Sequence, residues 1–231
     1  MRTVAADAEV LVDVVIVAHD CANALKRCIE RIPQRELRSI VVVDNGSTDH
    51  SGQVARDLGA VVLRAPEGGY GRACRRAIRH LNALPNRPQI VVFIDPLGPH
   101  DPAGLLALLK PLQSESAELA LAMEPGDVHS KNGLRERAML GLIGVLYGHR
   151  FTELSGFRAI TYPALVALGM SAEGEGWDVE MMVKAVRLGL RISEVPIPHL
   201  QQVSEGSHRD SHRDKGMGRK LMRILRHAAA R

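Results

Sequence analysis

Apolar positions along this chain fall into short continuous runs, separated by stretches with helical spacing. Residues 10–18 (VLVDVVIVA) form a β-branched run of strand length. Residues 23–32 follow helical spacing and stop before Pro33. Residues 40–43 (IVVV) predict a second strand ending on Asp44, and Gly46-Ser47-Thr48-Asp49 supplies turn and cap chemistry before a helix over 51–58. A short third strand is predicted at 61–63. Gly68, Gly69 and Gly71 then lead into a helix reaching about residue 84. Residues 90–94 predict the fourth strand and 102–112 the helix after it, with Asp101 as cap and Pro102 at its first position.

Strands alternating with helices at this spacing imply an α/β fold with a mostly parallel sheet, and near-continuous apolar strands fit a sheet covered on both faces. Such sheets place their sites beyond the carboxyl ends of the strands. Asp20, Asp44 and Asp95 stand at or just beyond three predicted strand ends, which points to a site there rather than to three unrelated caps. The second half is less regular. It predicts a strand at 117–123, a polar loop at 124–131, a helix at 134–147 and an extended segment at 151–160 turning at Ser155-Gly156. A helix at 178–188, a strand at 191–197 and a helix at 217–230 complete the pattern. One domain over 1–206 followed by a tail over 207–231 is the simplest division.

Composition adds three constraints. Aromatics are only 3% of the chain, so the core is built from Val, Leu, Ile and Ala. No apolar run approaches the roughly 18–20 residues of a membrane-spanning helix, and the start lacks a secretory pattern. Cys21, Cys28 and Cys74 have no metal-ligand spacing and read as reduced thiols in a cytoplasmic protein. The net charge of +4 is unevenly placed: residues 207–231 hold eight Arg or Lys against two Asp, leaving the rest near −2. The basic tail suits either a solvated end or peripheral contact with an anionic membrane surface. No nucleic-acid partner is implied.

The stretches VDVVIVAHD, IVVVDNGSTD, GAVVLRAPEGGYGRAC, VVFIDPLGPHDP, GFRAI and GWDVEMMVKAVRLGLRISEVPI occur in this order. The set resembles family 2 glycosyltransferases, with the nearest likeness to the polyprenyl-phosphate (dolichyl-phosphate) mannose and glucose synthases, over about residues 10–200. The resemblance implies a GT-A fold with a mixed, mostly parallel sheet. It also implies inverting sugar transfer from a UDP- or GDP-sugar, assisted by Mg²⁺ or Mn²⁺. The implied acceptor is a lipid phosphate or a small molecule. By the same resemblance Val17, Ala18 and Asp20 line the nucleotide pocket, and Asp44 and Asn45 hold base and ribose. Asp95 takes the first position of a DxD-type metal site. Arg158 faces a donor or acceptor phosphate, and Glu180, with Asp178 nearby, lies beside the acceptor.

The chain departs from that pattern where positive charge is needed. Departure of a diphosphate concentrates negative charge on the leaving group, and a cation placed there favours the transition state. Asp-x-Asp at a strand end supplies hard oxygen ligands for such a cation. Here Leu97 replaces the second acid and Pro99 the usual Gln, so Asp95 is left to grip a metal weakly. Gln201, Gln202 and His208 stand near the usual Arg and Lys positions, and Glu124 stands where an Arg is common. The chain is then a transferase with weak or no metal dependence, using Arg158, Lys131 or the tail's Arg209 and Arg213, or a transferase that takes a different donor, or an inactive relative that binds nucleotide sugar or regulates a partner.

Other patterns leave alternatives open. Gly68-Gly69-Tyr70-Gly71 before a helix either cradles phosphate or makes a turn. Arg72, Arg75, Arg76 and Arg79 share one helical stripe, either a solvated face or a lure for anions. In SHRDSHRD (207–214), His208 and His212 either share a metal or belong to a self-paired charge run. Trp177 is either core or a platform for sugar. Asp178 and Glu180, two apart on a helix, point in different directions and make no ready acid/base pair; the one nearer a hydroxyl acceptor is the candidate base.

Overall fold

The computed structural model describes residues 10–126 and 134–200. The predicted tail, its helix at 217–230 and Lys131, Gln201, Gln202, His208, Arg209, His212 and Arg213 lie outside the described residues. The strands are β1 (Val12–Ala18), β2 (Ser39–Asp44), β3 (Val61–Arg64), β4 (Ile90–Ile94), β5 (Leu119–Met123), β6 (Arg158–Thr161) and β7 (Ile192–Pro196). The α-helices are α1 (Ala22–Arg31), α2 (Ser51–Asp57), α3 (Tyr70–Asn82), α4 (Leu105–Gln113), α5 (Leu134–Tyr147), α6 (Tyr162–Leu168) and α7 (Trp177–Arg187). They build one sheet in the order β3-β2-β1-β4-β6-β5-β7. Pairs β1–β2, β2–β3, β1–β4 and β5–β7 are parallel, whereas β6 runs antiparallel to both β4 and β5.

The continuous apolar runs are explained by burial on both faces of the sheet. Val15, Val41, Val43, Val91 and Phe93 pack with residues of α3, α5, α6 and α7. Their alternates Val14, Ile16, Val42, Val92 and Ile94 pack with α1, α2 and α4. Asp13 interrupts this pattern at 0% exposure. Arg38 pairs with it, and Ser39 Oγ donates to it at 3.0 Å, so the buried carboxylate is both neutralised and hydrogen-bonded.

Two expectations need correction. The segment predicted to extend over 151–160 forms a strand only at Arg158–Thr161. Ahead of it side chains take up backbone N–H groups: Thr152 N–H donates to Glu194, Leu154 N–H to Glu136, and Phe157 N–H to Ser155 Oγ. The second correction is α6, which the pattern did not predict. It has a Pro in its first turn and closes on Gly169 at φ 52°, a left-handed stop that suits glycine. The capping predicted for Asp101 holds: its carboxylate accepts from Ala103 N–H at 2.9 Å at the start of a 3₁₀ turn, Pro102–Gly104, that feeds α4.

Candidate active site

Strand register sets the site. Ala18 of β1 pairs with Asp44 of β2, and Ile16 of β1 pairs with Ile94 of β4. Asp95, one residue further along, is therefore level with Val17. Asp44 and Asp95 flank β1 at nearly one height, and two inter-strand spacings put their backbones roughly 10 Å apart. The chain proceeds outward from β1 through β2 to β3, then returns to β4 on the other side. The ends of β1 and β4 thus mark a topological switch point, where open α/β sheets bind ligands.

The loops after β1 and β2 are tied together by the acids at this rim. Asp20 has φ 45°, a left-handed conformation that Asp tolerates better than most residues. Its Oδ1 accepts from Thr48 N–H at 2.7 Å and Asp49 N–H at 3.2 Å, and its own N–H donates to Ser47 Oγ at 3.2 Å. Those backbone bonds hold its carboxyl below the ordinary range. Asp49 in turn accepts from Ala22 and Ser51 N–H, and Asp44 Oδ1 accepts from Ser47 N–H at 2.9 Å. A Cβ on Gly52 would lie 3.0 Å from Asp44 Oδ2, so the glycine makes room for that carboxylate against α2. Ser47, read from the sequence only as turn and cap chemistry, bonds both Asp20 and Asp44 and so is a positioning residue.

Asn45 offers a more direct sign of a ligand. Its backbone N–H donates to Ala18 O at 2.8 Å, while its buried Oδ1 has no hydrogen-bond partner among the described residues. An orphaned buried acceptor beside Asp44 is suited to a donor from a base or a ribose hydroxyl. Val17 is partly buried and Ala18 fully buried at the end of β1.

Among the described residues, the side chains that follow Asp95 do not fit a protein-held Mg²⁺ or Mn²⁺ of the kind the resemblance implies. Asp95 Oδ1 accepts from Leu97 N–H at 2.9 Å in a tight turn. Leu97, 50% exposed, and Pro99 add no side-chain oxygen, whereas such ions take six or more hard ligands. Gly156 brings the chain ahead of β6 close to this acid, since a Cβ there would lie 3.2 Å from Asp95 Cβ.

The residues expected beside the acceptor face inward. Arg158, at 0% exposure, pairs with Asp178 Oδ1 at 2.7 Å and donates to the carbonyl of Ser155. Asp178 retains 22% side-chain exposure. Glu180, at 0% exposure, accepts from Ser171 N–H, Ser171 Oγ and Ala172 N–H, and pairs with Lys184 at 3.0 Å. Burial would raise its pKa, but the Ser171, Lys184 and Ala172 contacts outweigh it and the net shift is downward. Trp177 is fully buried and tilts onto Phe93 at 6.3 Å between ring centroids, so of its two readings the core one holds.

Gly69 and Gly71 are explained first by chain packing. A Cβ on Gly69 would sit 2.6 Å from Glu173 O, and one on Gly71 2.2 Å from Ala172 O. Arg72 N–H donates to Glu173 O at 3.0 Å, so the turn after α6 covers part of the amino end of α3. Arg72 and Arg75 of the basic stripe pair with Glu173, and Arg76 and Arg79 are exposed. A cleft of about 810 Å³, lined by Leu11, Asn82 and Gln89 among others, is at the opposite, amino-terminal end of the strands.

A parallel half with acids ending β1, β2 and β4, joined through an antiparallel β6 to a smaller parallel pair, defines a GT-A-type nucleotide-sugar transferase fold. The family described as "Glycosyl transferase family 2" matches residues 13–152, and the chain belongs to it. It is 29% identical over 193 residues to undecaprenyl-phosphate mannosyltransferase of Micrococcus luteus, covering 77% of each chain. It is 28% identical over 165 residues to glycosyltransferase AglJ of Haloferax volcanii, covering 68% of this chain but only 52% of that protein. Among solved structures, glucosyl-3-phosphoglycerate synthase of Mycobacterium tuberculosis in complex with UDP superposes with a TM-score of 0.74 at 25% identity. That match covers 95% of this chain and 80% of the synthase.

Proposed function

We propose that this chain transfers a sugar, with inversion, from a UDP- or GDP-sugar bound across the ends of β1, β2 and β4. The observation that carries this reading is the level placement of Asp44 and Asp95 on either side of β1, with the unpartnered Asn45 Oδ1 beside them. Family membership and the similar synthase's UDP complex support it. Asp44 and Asn45 bind base and ribose, Asp20 shapes the loop over them, and Asp95 faces the diphosphate. One carboxylate at Asp95 leaves activity weakly dependent on added Mg²⁺ or Mn²⁺.

The acceptor is a lipid phosphate or a small molecule, and the phosphate form suits the site. A phosphate is already ionised and needs no general base, which agrees with a Glu180 occupied by four donors and an Asp178 held by Arg158. The mannosyltransferase relative, by its name, acts on such a lipid. The same inward-facing groups also favour a second reading, an inactive relative that retains nucleotide-sugar binding for regulation. The basic tail at 207–231, set off from a domain over 1–206, is proposed as a peripheral membrane contact.

Calorimetry with UDP, GDP, UDP-glucose and GDP-mannose, with and without Mn²⁺, tests the pocket. One nucleotide is expected to bind, and Asp44→Asn to weaken it by roughly 10- to 100-fold, the cost of one charged hydrogen bond. Failure of every nucleotide to bind would overturn both readings. Binding without turnover on polyprenyl phosphate or small phosphorylated acceptors would select the regulatory one.

A further inference from the structure

A second cluster of chemistry is present on the same rim of the sheet. The loop after β4 and the chain after β7 run antiparallel: Leu200 N–H donates to Pro99 O at 2.7 Å and Asp101 N–H to Pro198 O at 3.1 Å. This short ladder pairs His100 with His199, and their rings meet edge to face with centroids 4.7 Å apart. Glu153, from the segment between α5 and β6, reaches the same place. Its Oε1 is 3.2 Å from His100 Nε2, and its Oε2 accepts from the backbone N–H of Glu124 at 2.8 Å. Glu124 itself, just beyond β5, has Oε2 3.2 Å from His199 Nδ1.

We propose that His100, Glu153 and His199 form a site for a divalent transition-metal ion of the zinc type, with the Glu124 carboxylate able to complete the set. Each of the three offers a ligand atom within 4.8 Å of the others. Four-coordinate zinc with bonds of about 2.0–2.1 Å places its ligands roughly 3.3 Å apart. The His100–Glu153 pair already has that separation, and the remaining closure is within reach of side-chain rotation.

Three observations favour an ion over a bare polar cluster. His100 is 5% exposed, and neither ring nitrogen has a hydrogen bond of good geometry among the described residues, although Nε2 is close to Glu153. An imidazole buried in that condition is costly unless a ligand takes its lone pair. Glu153 is 7% exposed and meets no lysine or arginine among the described residues. Its Oε2 is fixed by the Glu124 N–H at 2.8 Å while Oε1 lies 3.2 Å from His100 Nε2, so the carboxylate is already aimed into the cluster. Finally, Glu124 stands where the family resemblance leads one to expect arginine. A cation there would oppose a metal, whereas an acid beside His199 supports one.

Two imidazoles and carboxylates select a borderline ion such as Zn²⁺ over Mg²⁺ or Ca²⁺, which prefer oxygen alone. The site differs in ligands and in chemistry from the donor rim at Asp95. Its ligands come from chain segments following β4 and β7 and preceding β6, with Glu124 following β5, so the ion would clasp the half of the sheet that carries the antiparallel strand.

The test uses the full chain without an added histidine tag, stripped with chelator and titrated with ZnCl₂ and, as a spectroscopic probe, CoCl₂. One tight equivalent is expected, with Co²⁺ giving the visible absorption of a four-coordinate ion. Zinc at a hundredfold excess over Kd should raise the unfolding midpoint by roughly 5–10 °C. His199→Asn and Glu153→Gln should each weaken binding at least about 100-fold, more than the loss of an outer-shell partner costs. His199 is 31% exposed at its side chain, so its variant is the one expected to remain folded if that at Glu153 does not. Asp95→Asn, and the pair His208→Asn with His212→Asn, should leave the affinity unchanged. The proposal is overturned by an absence of tight binding, by binding that survives His199→Asn, or by binding lost with the two tail histidines.

Discussion

Single side chains decide what this rim can hold. Leu97 and Pro99 take away the oxygens that would surround a cation beside Asp95. Replacing them by Leu97→Asp with Pro99→Gln is expected to make nucleotide binding tighter and dependent on Mn²⁺; calorimetry that shows no change would mean Asp95 does not face the diphosphate. Glu180 permits a prediction in pH. Its folded pKa is below the reference value of 4.5, so its bonds stabilise the protein fully above that value. The contribution is lost as pH falls through the lower, folded pKa. Glu180→Gln should therefore destabilise the protein clearly at pH 7, and the gap to the parent in denaturant unfolding should shrink toward pH 3.

Elements show which parts of the reading were legible. The bounds of β4 and α5 agree with the apolar runs, because each run is closed by polar or turn residues on both sides. The acids at strand ends were legible for the same reason, since a strand's end is visible when its apolar run stops. The direction of β6 was not, because a run of apolar residues carries no sign of which way its strand runs. Nor were His100, Glu153 and His199 as a group, being far apart in sequence: a ladder between the chains after β4 and β7 joins the two histidines, and Glu153 arrives from the segment before β6. Gly69 and Gly71 show the opposite case, a pattern suited to phosphate that the structure spends on close packing. Gly71→Ala should cost at least about 2 kcal/mol in chemical denaturation, since the new methyl meets backbone at 2.2 Å rather than a movable side chain.

At the scale of the whole molecule, two apolar layers enclose one sheet and bury all three thiols. Burial raises Cys21 to about 11 and Cys28 to about 12, and raises Cys74 strongly as well. Each thiol is therefore both protonated and shielded at neutral pH. Ellman's reagent is expected to react with none of them in the native protein and with all three in denaturant. The rate at low denaturant should follow opening of the sheet layers, so a thiol that reacts promptly in the native state would show a weaker layer than this packing implies.

The reversed strand has a further consequence for how such a chain can change. Around the parallel strands only departing chain reaches the business edge, and every departure must lead back through a helix. β6 instead delivers incoming chain there, through the stretch holding Glu153, Ser155 and Gly156. That approach path is fastened largely by side chains, joined to β5 by the Ala122 N–H to Phe157 O bond, so insertions in it can remodel this edge while the frame beneath keeps its register.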